Sequence, residues 1–205
     1  MKLLLTTAFL GLSLLFTGCL NTFYPIFTER DLVWNDNLVG KWQFKDKELH
    51  IRKIGNPALL PKHLKPFQDK ILQITEFNED NIESGTDIAL VVKIGNHYFL
   101  DRFPVLNNAE RSLNTFYSSL LLRQHTVYRV DSFETGKKLY LQRVSDKMLN
   151  EQIEQKKIRI ETVKRDDGTL ILANTSELQK HIIKYAGNES FYENDNSYSF
   201  KKIAN

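Results

Sequence analysis

From Leu38 onward the chain is built of short segments in which apolar and polar residues alternate, each broken by turn residues. A period of two sends successive side chains to opposite faces of a pleated strand, so this pattern specifies a mainly antiparallel sheet. Strands are expected near 39–46, 47–54, 70–77, 87–95, 96–103, 124–133, 137–144, 157–164, 168–173 and 196–203. In 87–95, Ile88, Leu90, Val92 and Ile94 share one face, and Gly95-Asn96 reverses the chain into His97-Tyr98-Phe99-Leu100-Asp101, a hairpin signal. Thr135-Gly136 and Asp166-Asp167-Gly168 read as further tight turns.

Three helical segments interrupt the strands. In 177–186, Leu178, Ile182 and Tyr185 fall on one face, Ser176 and Gln179 have capping-box spacing, and Gly187 suits the position past the end. A second helix is expected from about 146 to 155, with Leu149 and Ile153 four apart, and a third near 109–120. The segment 55–68, spaced by Pro57, Pro61 and Pro66, is a long loop of the kind that forms rims or lids.

The first nineteen residues carry a different signal. Lys2 precedes an apolar run from Leu3 to Leu15, followed by small residues ahead of Cys19. That is the layout of a secretory leader, too short for a stable membrane-spanning helix. The segment Leu15-Phe16-Thr17-Gly18-Cys19 resembles the lipobox of bacterial lipoproteins, with Phe16 where that family usually carries Leu, Val or Ile. The resemblance implies that residues 1–18 are removed and that Cys19 is acylated and becomes the mature N-terminus; the alternative is an ordinary secretory leader with an incidental cysteine. Leu20 is not the Asp that marks inner-membrane retention in Gram-negative sorting. The implied location is the periplasmic face of the outer membrane, or the cell membrane of a Gram-positive host. Two or more acyl chains anchor stably where one does not. Residues 19–37 then form a lipidated tether that packs along the domain through Phe23, Tyr24, Ile26, Phe27 and Trp34, and 38–205 form a single β-rich domain.

Cys19 is the only cysteine, so with it lipidated no disulfide is available and an apolar core must hold the exported domain. The formal net charge is +3, Lys2 of the leader included. That is not the concentrated basic footprint of a nucleic-acid binder, and Lys137-Lys138, Lys156-Lys157 and Lys201-Lys202 read as solvated turn or edge residues.

Gly40-Lys41-Trp42 opens the first expected strand of the sheet. It is similar to the G-x-W element of lipocalin-like barrels, in which glycine permits a tight entry and tryptophan plugs the closed end beneath a basic side chain of the last strand. The resemblance implies that Lys201 or Lys202 covers Trp42 through a cation–π contact; the other reading is an ordinary core aromatic. The second lipocalin motif is missing and the helices after 145 are extra, so the likeness covers architecture and one tripeptide. Tyr24-Pro25 to Phe27-Thr28, Asp31-Leu32-Val33, Tyr98-Phe99-Leu100-Asp101 and His125-Thr126-Val127-Tyr128-Arg129-Val130 look similar to segments of uncharacterised bacterial lipoproteins, a resemblance that implies no activity.

No H-E-x-x-H, G-x-S-x-G, P-loop or G-x-G-x-x-G motif is present, and no histidine has a partner at metal-ligand spacing, so no catalytic residue, metal or cofactor is assigned. One polar constellation stands out. Alternation puts His97, Phe99 and Asp101 on one face of a strand, and His125, Val127 and Arg129 on one face of another. If both faces point into a barrel, Asp101 meets Arg129 or His125 there and could orient a polar headgroup or do acid–base chemistry. Otherwise these groups form a satisfied structural pair or sit at the solvent face.

The expected fold is thus an antiparallel lipocalin-like barrel or half-barrel of roughly eight to ten strands with two or three peripheral helices. The first functional expectation is a non-catalytic binding module for an apolar or amphipathic, lipid-like molecule beside the membrane. The second is a packed domain that recruits an envelope protein, and the third, an enzyme, has no motif behind it.

Overall fold

The computed structural model describes residues 20–56, 60–104, 124–131, 135–165, 168–192 and 198–204, and in it twelve strands form one sheet. In chain order these are β1 (Leu20–Thr22), β2 (Leu32–Val33), β3 (Gly40–Phe44), β4 (Lys47–Lys53), β5 (Ile71–Phe77), β6 (Glu83–Ile94), β7 (His97–Pro104), β8 (His125–Asp131), β9 (Lys138–Arg143), β10 (Thr162–Arg165), β11 (Gly168–Ile171) and β12 (Tyr198–Ala204). Two α-helices, α1 (Asp146–Glu154) and α2 (Thr175–Tyr185), follow β9 and β11. Strands β3 to β8 pair antiparallel in sequence order, β8 pairs with β9, β9 with β12, and β12 returns to β3. These eight strands close an antiparallel barrel of the lipocalin-like architecture that the alternation and Gly40-Lys41-Trp42 imply.

The remaining strands enlarge the wall. β8 divides one edge between two partners: His125–Val127 face β1, and Tyr128–Asp131 face β9. β1 in turn runs parallel to β11, which pairs with β10. β2 lies against Val91 and Val92 of β6, beyond the point where β5 begins. Residues 20–37, expected as a tether, therefore supply two strands of the sheet, because their backbone amides find ladder partners there.

Two apolar clusters result. Trp42, Leu49, Ile51, Leu72, Ile74, Val91, Leu100, Leu139, Leu141 and Phe200 fill the barrel interior. Ile88, Leu90, Val92, Phe99, Phe103 and Val127 face outward and are covered by Ile26 and Phe27, by Leu149 of α1 and by Leu178 and Ile182 of α2. β6 and β7 are thus buried on both faces, and apolar residues occupy consecutive positions there (Ala89-Leu90-Val91-Val92).

At the closed end, Gly40 sits at φ 137° against β12, where a Cβ would lie 2.4 Å from Lys202 Cε and 2.5 Å from the Ala204 carbonyl oxygen. Only glycine fits that approach. Trp42 is fully buried and donates its indole N–H to the Leu38 carbonyl at 2.8 Å. Lys202 Nζ lies 5.4 Å from the ring centroid, so of the two expected lysines it is Lys202 that covers the plug. Gly95 at φ 60° makes the expected β6–β7 reversal, and Gly136 at φ 63° occupies the turn before β9.

Several local expectations are revised. α2 is capped by Asn174, whose side chain accepts from the Glu177 amide at 3.1 Å, two residues earlier than the Ser176–Gln179 box. Gln179 instead donates to the Ile26 carbonyl and to Asp31, tying the helix to the N-terminal segment. The strand expected over 157–164 is confined to Thr162–Arg165, because Lys156 turns at φ 57° and the amides of Lys157 and Ile158 fold back onto the Gln152 carbonyl. Lys62–Lys70, which begins in the second half of the expected loop 55–68 and runs past its end, forms 3-10 turns with Leu64 buried and Pro66 inside them. The helix expected near 109–120 lies outside the described residues, as do Pro57, Cys19 and Asp166-Asp167.

Candidate functional site

The inward register of the eight strands produces two unlike ends. Trp42 and its neighbours fill one. At the other, large side chains line the wall without meeting across it, leaving a cavity of about 410 Å³. Its apolar part comes from Leu49, Phe77, Tyr128, Leu141, Tyr198 and Phe200. The aromatic rings support one another: Phe44 stands edge-on to Tyr198 at 5.5 Å, and Tyr198 lies 6.0 Å from Phe200 and 6.5 Å from Tyr128. Its polar part comes from the β3–β4 turn (Asp46, Lys47), from the end of β5 and the turn after it (Glu76, Asn78, Glu79), and from Arg102. Glu76 continues the inward alternation of Leu72 and Ile74, and Ser84 stands at the bulge where the β5–β6 register shifts between Glu76 and Phe77.

Among the described residues that line the cavity, Arg102 is the one buried charge, and it is held from two sides. Its Nε donates to Asp87 at 3.0 Å, and its Nη2 donates to Asp87 at 2.5 Å and to Glu76 at 2.6 Å. The guanidinium also lies 5.7 Å from the Tyr128 ring centroid. Burial opposes its charge, but Tyr128, Asp87 and Glu76 more than offset that and raise its pKa, so it is a permanent cation. Arg102 therefore anchors the carboxylates around it.

The polar residues singled out in the sequence lie elsewhere. His97, Asp101, His125 and Arg129 point away from the barrel interior, into the layer between the wall and the covering segments, so the inward condition attached to them is not met. Asp101 meets His125 and not Arg129. It is fully buried and accepts from His125 Nδ1 at 2.6 Å and from the Ile26 amide at 3.0 Å. Arg129 donates to the Ala186 carbonyl at 2.9 Å, to Glu189 at 2.8 Å and to Asp131, and stacks 4.7 Å from the Tyr192 ring. Burial opposes the Arg129 charge, while Glu189 and Asp131 raise its pKa; conversely Arg129 lowers that of Glu189, with His97 adding to the effect. These contacts fasten the N-terminal segment and the turn after α2 to the wall. Among the described residues no group of three or more His, Cys, Asp or Glu is placed to hold a metal ion.

His181 on α2 shows what that layer does to a titratable group. Its ring lies 4.7 Å from Tyr185 and 5.9 Å from Phe191, and no described group bonds its Nε2. Burial, with Lys184 adding to it, lowers its pKa from 6.5 to about 4. The unfolded chain then binds a proton that the folded one refuses, so stability falls as pH drops from about 6.5 toward 4, by about 3 kcal/mol in all. Urea midpoints at pH 7 and pH 4.5 measure the loss. In His181→Phe, which keeps a ring against Tyr185 and Phe191, the difference is expected to shrink by most of that amount.

Comparison with protein-family models, curated proteins and solved structures finds no match. The cavity residues Arg102, Glu76, Tyr128 and Tyr198 were not singled out in the sequence. The signal available was parity: Tyr98, Leu100 and Arg102 alternate on β7, but so do Phe99, Asp101 and Phe103.

Proposed function

We propose that this chain is a membrane-anchored periplasmic lipoprotein whose barrel is a binding module for an amphipathic small molecule. The observation that carries the binding role is the mouth cavity. Its volume of about 410 Å³ lies within the range of small-molecule sites, and its aromatic wall with a few polar groups at the rim suits a ligand with one apolar and one polar end. The plugged opposite end favours entry from the mouth alone. The Asp101–His125 pair is engaged with Ile26, which supports a positioning role for it over catalysis. The anchor rests on the lipobox-like segment ending at Cys19.

The two halves of this reading are tested separately. Cys19→Ser is expected to move the protein from the membrane to the soluble fraction, and retention in the membrane pellet overturns the anchor. Native mass spectrometry of the soluble protein, with organic extraction, is expected to reveal a reproducible lipid-like adduct. A bare mass that stays bare in the presence of excess octyl-chain amphiphiles overturns the binding role and favours a packed domain that recruits an envelope protein.

A further inference from the structure

We infer that the mouth cavity selects amphiphiles with a cationic headgroup, such as an alkylammonium; this inference rests on the binding role proposed above. The charges at the mouth are unequal. Asp46, Glu76 and Glu79 line it with Lys47 and Arg102, and Asp87 stands behind Arg102. Three lining carboxylates, with Asp87 behind them, therefore stand against two cations, and the flanking turns add Lys45 on one side and Asp80 and Glu83 on the other.

The arrangement of these charges decides more than their number. An arginine inside a barrel would be the natural partner for an anionic headgroup, yet Arg102 is bonded to two carboxylates. An anion approaching it meets Glu76 and Asp87 at contact distance, and their repulsion cancels the attraction. A cation meets those carboxylates together with Asp46 and Glu79, neither of which is drawn into an ion pair with a described residue at the rim.

The rings point the same way. Tyr128, Tyr198, Phe200 and Phe77 present π faces or edges to the cavity, and an ammonium group over such a ring is attracted by its quadrupole. Arg102 over Tyr128 shows that these rings already accept one cation. A ligand of this class would place its ammonium between the rim carboxylates and the tyrosines, with its alkyl chain running toward Leu49, Leu141 and Phe200. Polar groups fixed in a low-dielectric mouth discriminate between charges far better than the same groups in bulk water.

The test uses the full chain carrying Cys19→Ser and three probes with one tail: octylamine, octyl glucoside and octanoate, titrated calorimetrically at pH 7. Octylamine is expected to bind about tenfold or more tightly than octanoate, with octyl glucoside between them, and its affinity is expected to fall as salt is raised. The double variant Asp46→Asn, Glu79→Gln leaves the Arg102 ion pairs intact and is expected to cut octylamine affinity about tenfold while weakening octyl glucoside by much less. Octanoate binding as tightly as octylamine, or an unaltered octylamine affinity in the double variant, overturns the cation preference and leaves the binding role standing. Failure of all three probes overturns the binding role itself.

Discussion

Alanine in place of Trp42 is expected to lower the unfolding free energy by about 3–5 kcal/mol, enough to shift the melting midpoint by roughly 10 °C in a chain of this size. The indole is fully buried at the end of the barrel where β3 begins, and its loss leaves a void that neighbours cannot close. Gly40 holds β3 hard against β12 by the close approach to Ala204, so the wall cannot collapse inward by sliding that strand. The Leu38 carbonyl loses its indole donor as well. Lys202→Met separates the ring from its cover. It removes the cation but keeps a stem over Trp42, so its expected cost is under about 2 kcal/mol, the upper range for such contacts. Urea denaturation of both variants measures the difference. A Trp42→Ala loss no larger than that of Lys202→Met would show that the tryptophan does not act as a plug.

The second large effect is expected on the outer face. Asp101→Ala removes a fully buried carboxylate and strands its two donors, the Ile26 amide and His125 Nδ1, for an expected cost of about 3–5 kcal/mol. Asp101→Asn keeps an oxygen for Ile26 but loses the charge that favours the histidine donor, so about 1–2 kcal/mol is expected. The damage should be local first. Because Ile26 and Gln179 are linked, amide exchange is expected to rise in residues 23–31 and in α2 before it rises in the barrel. An unchanged melting curve for Asp101→Ala would mean that the buried pair holds nothing.

Much of the barrel was legible because its signals are local. Gly95-Asn96 marks the chain reversal between β6 and β7, Gly40-Lys41-Trp42 marks the entry to β3, and the spacing of Leu149 and Ile153 marks α1. The lipocalin resemblance offered Lys201 or Lys202 as the cover of Trp42, and it is Lys202 that lies over the ring.

What was not legible depends on a second layer of structure. Where α2 and the N-terminal segment cover the wall, both faces of β6 and β7 are apolar, and alternation no longer tells inside from outside. Asp101 and Arg102 are neighbours on one strand, and nothing in the residues themselves sends the first outward to His125 and the second inward to the mouth. The capping of α2 was misplaced by a similar ambiguity, since Asn174, Thr175 and Ser176 are all competent caps and the choice is made by what Gln179 reaches.

The insertion of β1 between β8 and β11 bears on the order in which the molecule assembles. Asn21 lies opposite Thr126 on one side and Leu170 on the other. The first described strand must therefore wait for partners more than a hundred residues further along the chain. Closing such distant contacts is slow, because the entropy of the intervening chain is lost before any ladder bond forms. In the interval Leu20–Thr22 is an unsatisfied edge, open to pairing with another copy or to capture by a holding chaperone. Order at one end of this chain is thus coupled to synthesis at the other: until β11 has arrived, Leu20–Thr22 lacks one of the two neighbours that fix its place in the fold.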